Sequence, residues 1–228
     1  MRKLTKILTA MMLMTAVVFA VGCKPEDEPD NRAVDLGLPS GTLWASCNVG
    51  ANAPEEYGDY FAWGETEPKA SYSWSNYKYG KGTYDQLIKY CNDSNYGYEG
   101  FVDNLSELEP SDDAATVNWG NGWYTPTVEQ WEELTVYTDY AWTVWNGVIG
   151  AEYTGPNGNK IFVPCAGYRR EGVTDWQGKG VYFWASSLAT DDDYNPDHAW
   201  YYYHSTNGDQ FSGYRCWALP VRPVRSSR

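Results

Sequence analysis

Three aromatic runs near the carboxyl end constrain this chain more than any other feature. They are Val181-Tyr182-Phe183-Trp184-Ala185, Ala199-Trp200-Tyr201-Tyr202-Tyr203-His204 and Gly213-Tyr214-Arg215-Cys216-Trp217. The acidic segment Asp191 to Asp197 separates the first from the second, and the polar turn Ser205-Thr206-Asn207-Gly208-Asp209 the second from the third. Aromatic runs broken by Asn-Gly and Asp-rich turns read as short antiparallel strands. Side chains alternate across a strand, so Tyr201 and Tyr203 share one face, and Trp200, Tyr202 and His204 the other. One aromatic face packs a core. The second must be covered by other chain or meet a ligand.

A chain of 228 residues has room for one ordinary domain and a leader. Rings bury much area per residue, so 12 Trp and 20 Tyr with 22 Gly point to a loop-rich β or α+β protein with a small regular framework. The 17 Lys and Arg against 30 Asp and Glu give a formal charge of −13. No basic stripe exists to neutralise phosphates, which argues against nucleic acid as a partner.

Residues 1–22 read as a targeting segment. Arg2, Lys3 and Lys6 precede an apolar run from Ile7 to Val21, too short for a membrane span of ~20 residues. Ala20-Val21-Gly22-Cys23 resembles a bacterial lipobox, which implies acylation of Cys23 and anchorage to a membrane. Residues 23–32 then form a charged, proline-bearing tether with too little apolar surface to fold. The acids after Cys23 resemble the surface-export signal of Bacteroidetes lipoproteins, implying an outer-membrane lipoprotein displayed on the cell exterior. Residues 33–228 are left as a single domain.

Within it, Pro39-Ser40-Gly41 reads as a turn between two short strands, and a further strand ends near Trp63. Tyr84 to Asn92 has the makings of a short helix. Asn92-Asp93-Ser94-Asn95-Tyr96-Gly97 raises calcium, but Tyr96 stands where a ligand is needed, so a plain turn is favoured. Ser111 heads a helix with acids in its first turn. Thr127 caps a second, clearer helix, with Gln130 completing a capping box and Trp131 and Leu134 as its buried stripe. Its Glu129, Glu132 and Glu133 read as a solvated face. Strands follow at Tyr140–Trp145, Gly147–Thr154, Lys160–Pro164 and Ala166–Arg169, with Gly155 to Asn159 as a hairpin turn. Arg169 and Arg170 are expected to pair with surface acids.

No catalytic constellation appears. Ser186-Ser187 lacks a nucleophile elbow, and neither a phosphate loop nor a zinc-protease motif occurs. His198 and His204, the two histidines, carry packing or surface roles. Four cysteines remain in the domain, Cys47, Cys91, Cys165 and Cys216, open to three pairings in an oxidising compartment. The expectation is a protein that is not an enzyme and needs no cofactor.

Five blocks occur in one order: VDLGLPSGTLWASCNVGANAPEEYGDYFAWGE, WYTPTVEQWEEL, NGNKIFVPCAGYR, YFWASS and LPVRPVR. Together they resemble the FISUMP family, the major paralogous domain of Fibrobacter succinogenes, abundant in Bacteroidetes lipoproteins. The likeness runs from about Val34 to Arg225. It implies a C-type-lectin-like, sulfatase-modifying-factor-like α+β domain with short antiparallel strands, two or more short helices and long loops, and no reaction. Cys165 and Cys216 depart from the family pattern together, which makes Cys165–Cys216 the preferred bridge and leaves Cys47–Cys91. Asn195-Pro196-Asp197 resembles a C-type-lectin calcium loop but lacks its companion strand. The formylglycine chemistry of that fold needs a reactive cysteine pair in a context this chain does not match.

Recognition remains. The expected contact face is Tyr194, His198, Trp200, Tyr201, Tyr203, Asn207, Gln210 and Tyr214, with Trp176 nearby. Rings suit sugar stacking, and a Tyr, Ser and Asn patch suits an adaptable protein-binding surface. The reading is adhesin-like binding of a glycan or protein. Alternatives are a structural envelope or fimbria-associated subunit, and a variable receptor of a diversity-generating retroelement.

Overall fold

A computed structural model describes residues 30–120, 122–190, 195–204 and 209–227, with the side chains of Asp209 and Gln210 outside that description. The leader, Cys23 and most of the tether lie outside the described residues. So do Tyr194 and Asn207. From Asn31 onward the chain forms one compact unit.

Antiparallel strands dominate, arranged in four small sheets with few helices. In chain order the strands are β1 Ala33–Asp35, β2 Thr42–Ala45, β3 Phe61–Ala62, β4 Asp139–Trp145, β5 Val148–Thr154, β6 Lys160–Pro164, β7 Tyr168–Arg170, β8 Val173–Asp175, β9 Val181–Leu188, β10 His198–His204, β11 Asp209–Tyr214, β12 Ala218–Leu219 and β13 Val224–Ser226. The sheets run β1-β2-β13, β3-β12-β7-β8, β4-β5-β6 and β11-β10-β9. The carboxyl-terminal strands β12 and β13 enter two different sheets, one beside β3 and the other beside β2, so the chain's last turn ties its first strands into place.

Two tight turns explain their hairpins. Asn146 and Gly147 both lie in the left-handed region, φ 47° and 84°, and join β4 to β5 through two residues. Both central residues of a type I′ turn need positive φ, and Asn-Gly adopts it readily. Glu171 and Gly172, φ 48° and 79°, do the same between β7 and β8.

The helices are short. α1 (Ala114–Trp119) is capped by Asp113, whose carboxylate accepts from Ala115 N, so the cap falls two residues after Ser111. Asp113 also accepts from the N–H and hydroxyl of Thr125, bonds only a buried carboxylate at that position could make. α2 (Val128–Tyr137) starts at Thr127 with the capping box in place and buries Trp131 and Leu134. Glu133 is not merely solvated: it accepts from Ser40 N–H and Oγ, at 2.8 and 2.6 Å, and pins the Pro39–Gly41 turn.

Tyr84–Asn92 forms no helix. Leu87 is fully buried and bridges Gly80 on one side and Gly97 on the other, and Tyr90 takes φ 56°. Tertiary pairing overrides the local preference there. The Asn92–Gly97 stretch is a turn closed by Asp93, which accepts from Asn95 N–H.

Two hydrophobic clusters make up the core, and β9 and β10 separate them. Val181, Phe183, Ala185 and Tyr202 pack into one cluster with Trp44, Trp131 and Tyr153. Tyr182, Trp184 and Leu188, with Ala199, pack into the other, around Trp63, Tyr77 and Tyr90. A strand between two cores needs apolar side chains on both faces, as buried parallel strands do. That is why the aromatic run of β10 does not alternate with polar residues.

Two arginines, with no carboxylate partner among the described residues, hold segments together from inside. Arg215, fully buried, donates to Tyr77 Oη and to the carbonyls of Lys89, Tyr90 and Pro196, with Trp63 5.1 Å from its guanidinium. Arg222 donates to the carbonyls of Ala45 and Phe162, and burial pulls it down to about 10.

The four cysteines are all buried free thiols, so neither expected bridge forms. Cys165 belongs to one core cluster and Cys216 to the other, which keeps that pair apart across the β9–β10 layer. Cys47 and Cys91 each turn their sulfur to a nearby carbonyl instead, Ala51 O and Asp93 O.

Candidate recognition surface

Along β10 the rings divide by parity. Tyr202 stacks on Trp131 at 4.5 Å with planes 1° apart. His204 is fully buried, its Nδ1 2.6 Å from Tyr202 Oη and 3.0 Å from Tyr153 Oη. Trp200 packs on the same inner cluster. It therefore lies on the face opposite Tyr201 and Tyr203 and does not join them in a contact surface.

Tyr201 and Tyr203 face the other way, partly buried against the other cluster. They start a continuous ribbon of rings. Phe211 lies 5.6 Å from Tyr203 and 6.2 Å from Tyr201, and Tyr182 lies 4.6 Å from Tyr203. Tyr182 leads to Tyr168 at 5.2 Å, and Tyr168 stacks on Trp217 at 5.1 Å. Trp217 meets Tyr214 edge-on at 5.5 Å, and Tyr214 meets Trp74 edge-on at 6.2 Å. Edge-to-face and offset pairs suit the ring quadrupoles and fix each ring against its neighbour. Two glycines make room for the ribbon. A Cβ on Gly180 would come within 2.7 Å of Tyr182 and 3.1 Å of Tyr203, and one on Gly213 within 3.0 Å of Tyr201. Burial and the neighbouring Tyr203 push the Tyr182 hydroxyl up, which keeps that phenol neutral.

The ribbon ends in a groove of about 580 Å³. Tyr72 and Trp74 form one wall, Tyr214 and Trp217 line its apolar side, and Arg170, Glu171 and Asp175 of the β7–β8 hairpin carry its charges. Glu171 N–H donates to Tyr72 O and ties the hairpin turn to the wall. Arg170 pairs with Asp175 at 2.8 Å, and its guanidinium sits 5.8 Å from the rings of both Tyr168 and Trp217. Its neighbour Arg169 makes no such pair among the described residues and lies over the Tyr60 ring at 4.1 Å. Cys216 also lines the groove, where burial pushes its thiol up to about 12. A second hollow of about 620 Å³, near Arg32, Cys47 and Asp59, is lined by a single indole, that of Trp119, and no tyrosine.

Of the expected contact residues, Tyr201, Tyr203 and Tyr214 lie on the ribbon. Tyr214 is 40% exposed. Trp176 is 48% exposed, 6.3 Å from Tyr182, with φ 59°. A bulky residue in the left-handed region is an outlier of the kind that collects at functional loops. His198 borders the groove side, 4.4 Å from Tyr214, with Nδ1 2.8 Å from Asp197. Asp197 is thus engaged by His198, and Pro196 O by Arg215, so this segment serves as a packed turn. Gln210 pairs with Tyr202 through the backbone. Sequence reasoning missed Trp74, Tyr168, Phe211 and Trp217. The aromatic loop Tyr72–Tyr79 signalled rings but not their destination, because that loop is distant in sequence from β11.

Among the described residues no group of three or more His, Cys, Asp or Glu is arranged to hold a metal ion, and no helix is long and apolar enough to cross a membrane. Comparisons of the chain with family models, with curated proteins and with solved structures find no match.

Proposed function

We propose that this protein is a non-enzymatic recognition lipoprotein, held on the outer surface of a bacterial outer membrane through Cys23, that binds a glycan or protein through its aromatic ribbon and groove. The lipobox-like Cys23, the acidic tether and the ordered motifs resembling the FISUMP family support the setting. On this reading the β-rich domain is a member of the C-type-lectin-like group.

The observation that carries the reading is the ribbon's exposed ends, Phe211 and Tyr214, each 40% exposed. Rings that served packing alone would be shut into the two cores, as Tyr202 and Trp131 are. Phe211, Tyr214 and Trp176 are instead exposed, and Tyr214 lines a groove with a charged rim. Flat rings next to a guanidinium–carboxylate pair suit a ligand with apolar faces and hydroxyl or amide edges.

The test is a glycan array probed with the full chain in detergent, with and without calcium. A saturable sugar signal, lost in Trp176→Ala and Tyr201→Ala with the melting temperature little changed, supports the lectin version. Signal that persists in both variants contradicts the ribbon as the contact surface. The structural-subunit reading is favoured by one different feature, the exposed rings of β4.

A further inference from the structure

We propose that the second hollow, at the start of the domain, is a separate binding site for a neutral, hydroxyl-rich ligand, a sugar of one or two rings. Three segments far apart in sequence build it. Asn31 and Arg32 precede β1, Ser46, Asn52 and Asp59 belong to the loop after β2, and Trp119 ends α1. The hollow shares no lining residue with the groove at the end of the ribbon. Its volume of about 620 Å³ is that of a small-ligand site.

The loop that carries Asp59 holds it in one place. Asp59 N–H donates to Val49 O at 2.9 Å, and the fully buried Asn48 donates from Nδ2 to Tyr57 O at 2.9 Å across the loop. Gly50 takes φ 78°, and a Cβ there would lie 2.3 Å from Asp59 Oδ2, so only glycine leaves room for the carboxylate. Asn52 is fixed by its own N–H, which donates to the Glu56 carboxylate at 2.7 Å. The side chains of Asp59, Asn52, Asn31 and Ser46 nevertheless make no hydrogen bond or ion pair among the described residues. A carboxylate, two amides and a hydroxyl thus line one space with their bonding capacity unused.

The chemistry of that set selects the ligand. Asp59 only accepts hydrogen bonds, Asn31 and Asn52 donate and accept, and Ser46 does either. A ligand hydroxyl also does both, so a ring of hydroxyls satisfies all four groups. An anion would meet the charge of Asp59, and a metal cation that of Arg32, which lines the same hollow. Trp119 supplies the one ring, held by the Arg32 guanidinium 4.2 Å over it and by Trp123 edge-on at 5.2 Å. A single indole beside amides and a carboxylate suits a sugar, whose C–H face packs on a ring while its hydroxyls make the hydrogen bonds.

Calorimetric titration of the full chain in detergent with neutral methyl glycosides of hexoses and N-acetylhexosamines, and separately with calcium, tests this. At least one glycoside should bind. Asp59→Ala removes no side-chain bond within the fold, so the melting temperature should stay unchanged while affinity falls at least about ten-fold, the scale of a hydrogen bond to a charged group. Asn52→Ala should weaken binding by less, and Trp217→Ala, in the groove, should bind as the parent does. No binding by a folded chain, binding unchanged in both Asp59→Ala and Asn52→Ala, or binding of calcium alone would each overturn the proposal. So would a glycoside lost only in Trp217→Ala, an outcome that leaves the ribbon as the contact surface.

Discussion

Two strands of this protein look alike in sequence and live differently. β4 reads Asp-Tyr-Ala-Trp-Thr-Val-Trp and β10 reads His-Ala-Trp-Tyr-Tyr-Tyr-His, each seven residues long and rich in rings. β10 is central, flanked by β9 and β11, with a hydrophobic cluster on each face. β4 is an edge, and its Tyr140 and Trp142 rings are 38% and 39% exposed. Aromatic content therefore does not say which ring is exposed. Position in the sheet does, and position depends on pairing with strands far away in sequence.

The largest expected effect breaks or upholds this contrast directly. Tyr202→Ala removes a ring stacked between the sheet and α2 and should cost about 3–5 kcal/mol. For a domain of this size the melting temperature should fall by roughly 10 °C or more. Trp142→Ala should cost under about 1 kcal/mol. Equal losses by calorimetry would show that β4 is as buried as β10.

Next comes acid. Lys89 and Tyr90 bond Asp112 at the edge of the cluster around Trp63. Burial alone would raise its carboxyl, but those bonds outweigh it and hold the group at about 2, against an ordinary 3.8. The unfolded chain then binds the proton first as pH falls. The stabilisation is full above pH about 4 and is lost between about 4 and 2, by about 1–2 kcal/mol after solvent screening. Denaturant titrations of Asp112→Asn should show a flatter slope over that interval. An unchanged slope would remove Asp112 from the acid response.

Gly180→Ala tests the outward half of β10, because the added methyl meets Tyr182 and Tyr203. A cost of about 1–3 kcal/mol, as for overpacking, is expected, together with weaker ligand binding. A neutral result in both would mean that the ribbon rings are free to move aside. The smallest effect is in stability but not in rate: Cys165 and Cys216, pushed up to about 12 by burial, should resist alkylation at pH 8 until the chain unfolds. Fast native labelling of either would contradict their burial.

Much of the fold was legible locally. The Thr127 capping box, the Gly155–Asn159 hairpin and the strand Lys160–Pro164 appear where residue chemistry puts them. What failed was long-range. The helix expected at Tyr84–Asn92 lost to bridges that Leu87 makes with Gly80 and Gly97. Trp200 was assigned outward because parity gives two faces without saying which core each meets. The groove was invisible because Trp74, Arg170 and Trp217 come from three separate segments. The unpaired state of Cys165 and Cys216 follows from two cores that no spacing rule announces.

The measurement closest to the central claim compares two tryptophans by ligand binding. Once the array supplies a ligand, its affinity is measured for the full chain, for Trp217→Ala in the groove and for Trp142→Ala on β4. The account predicts that Trp217→Ala loses at least about ten-fold in affinity, the scale of one aromatic stacking contact, while Trp142→Ala binds as the parent does. Loss of binding in Trp142→Ala with Trp217→Ala unaffected would contradict it.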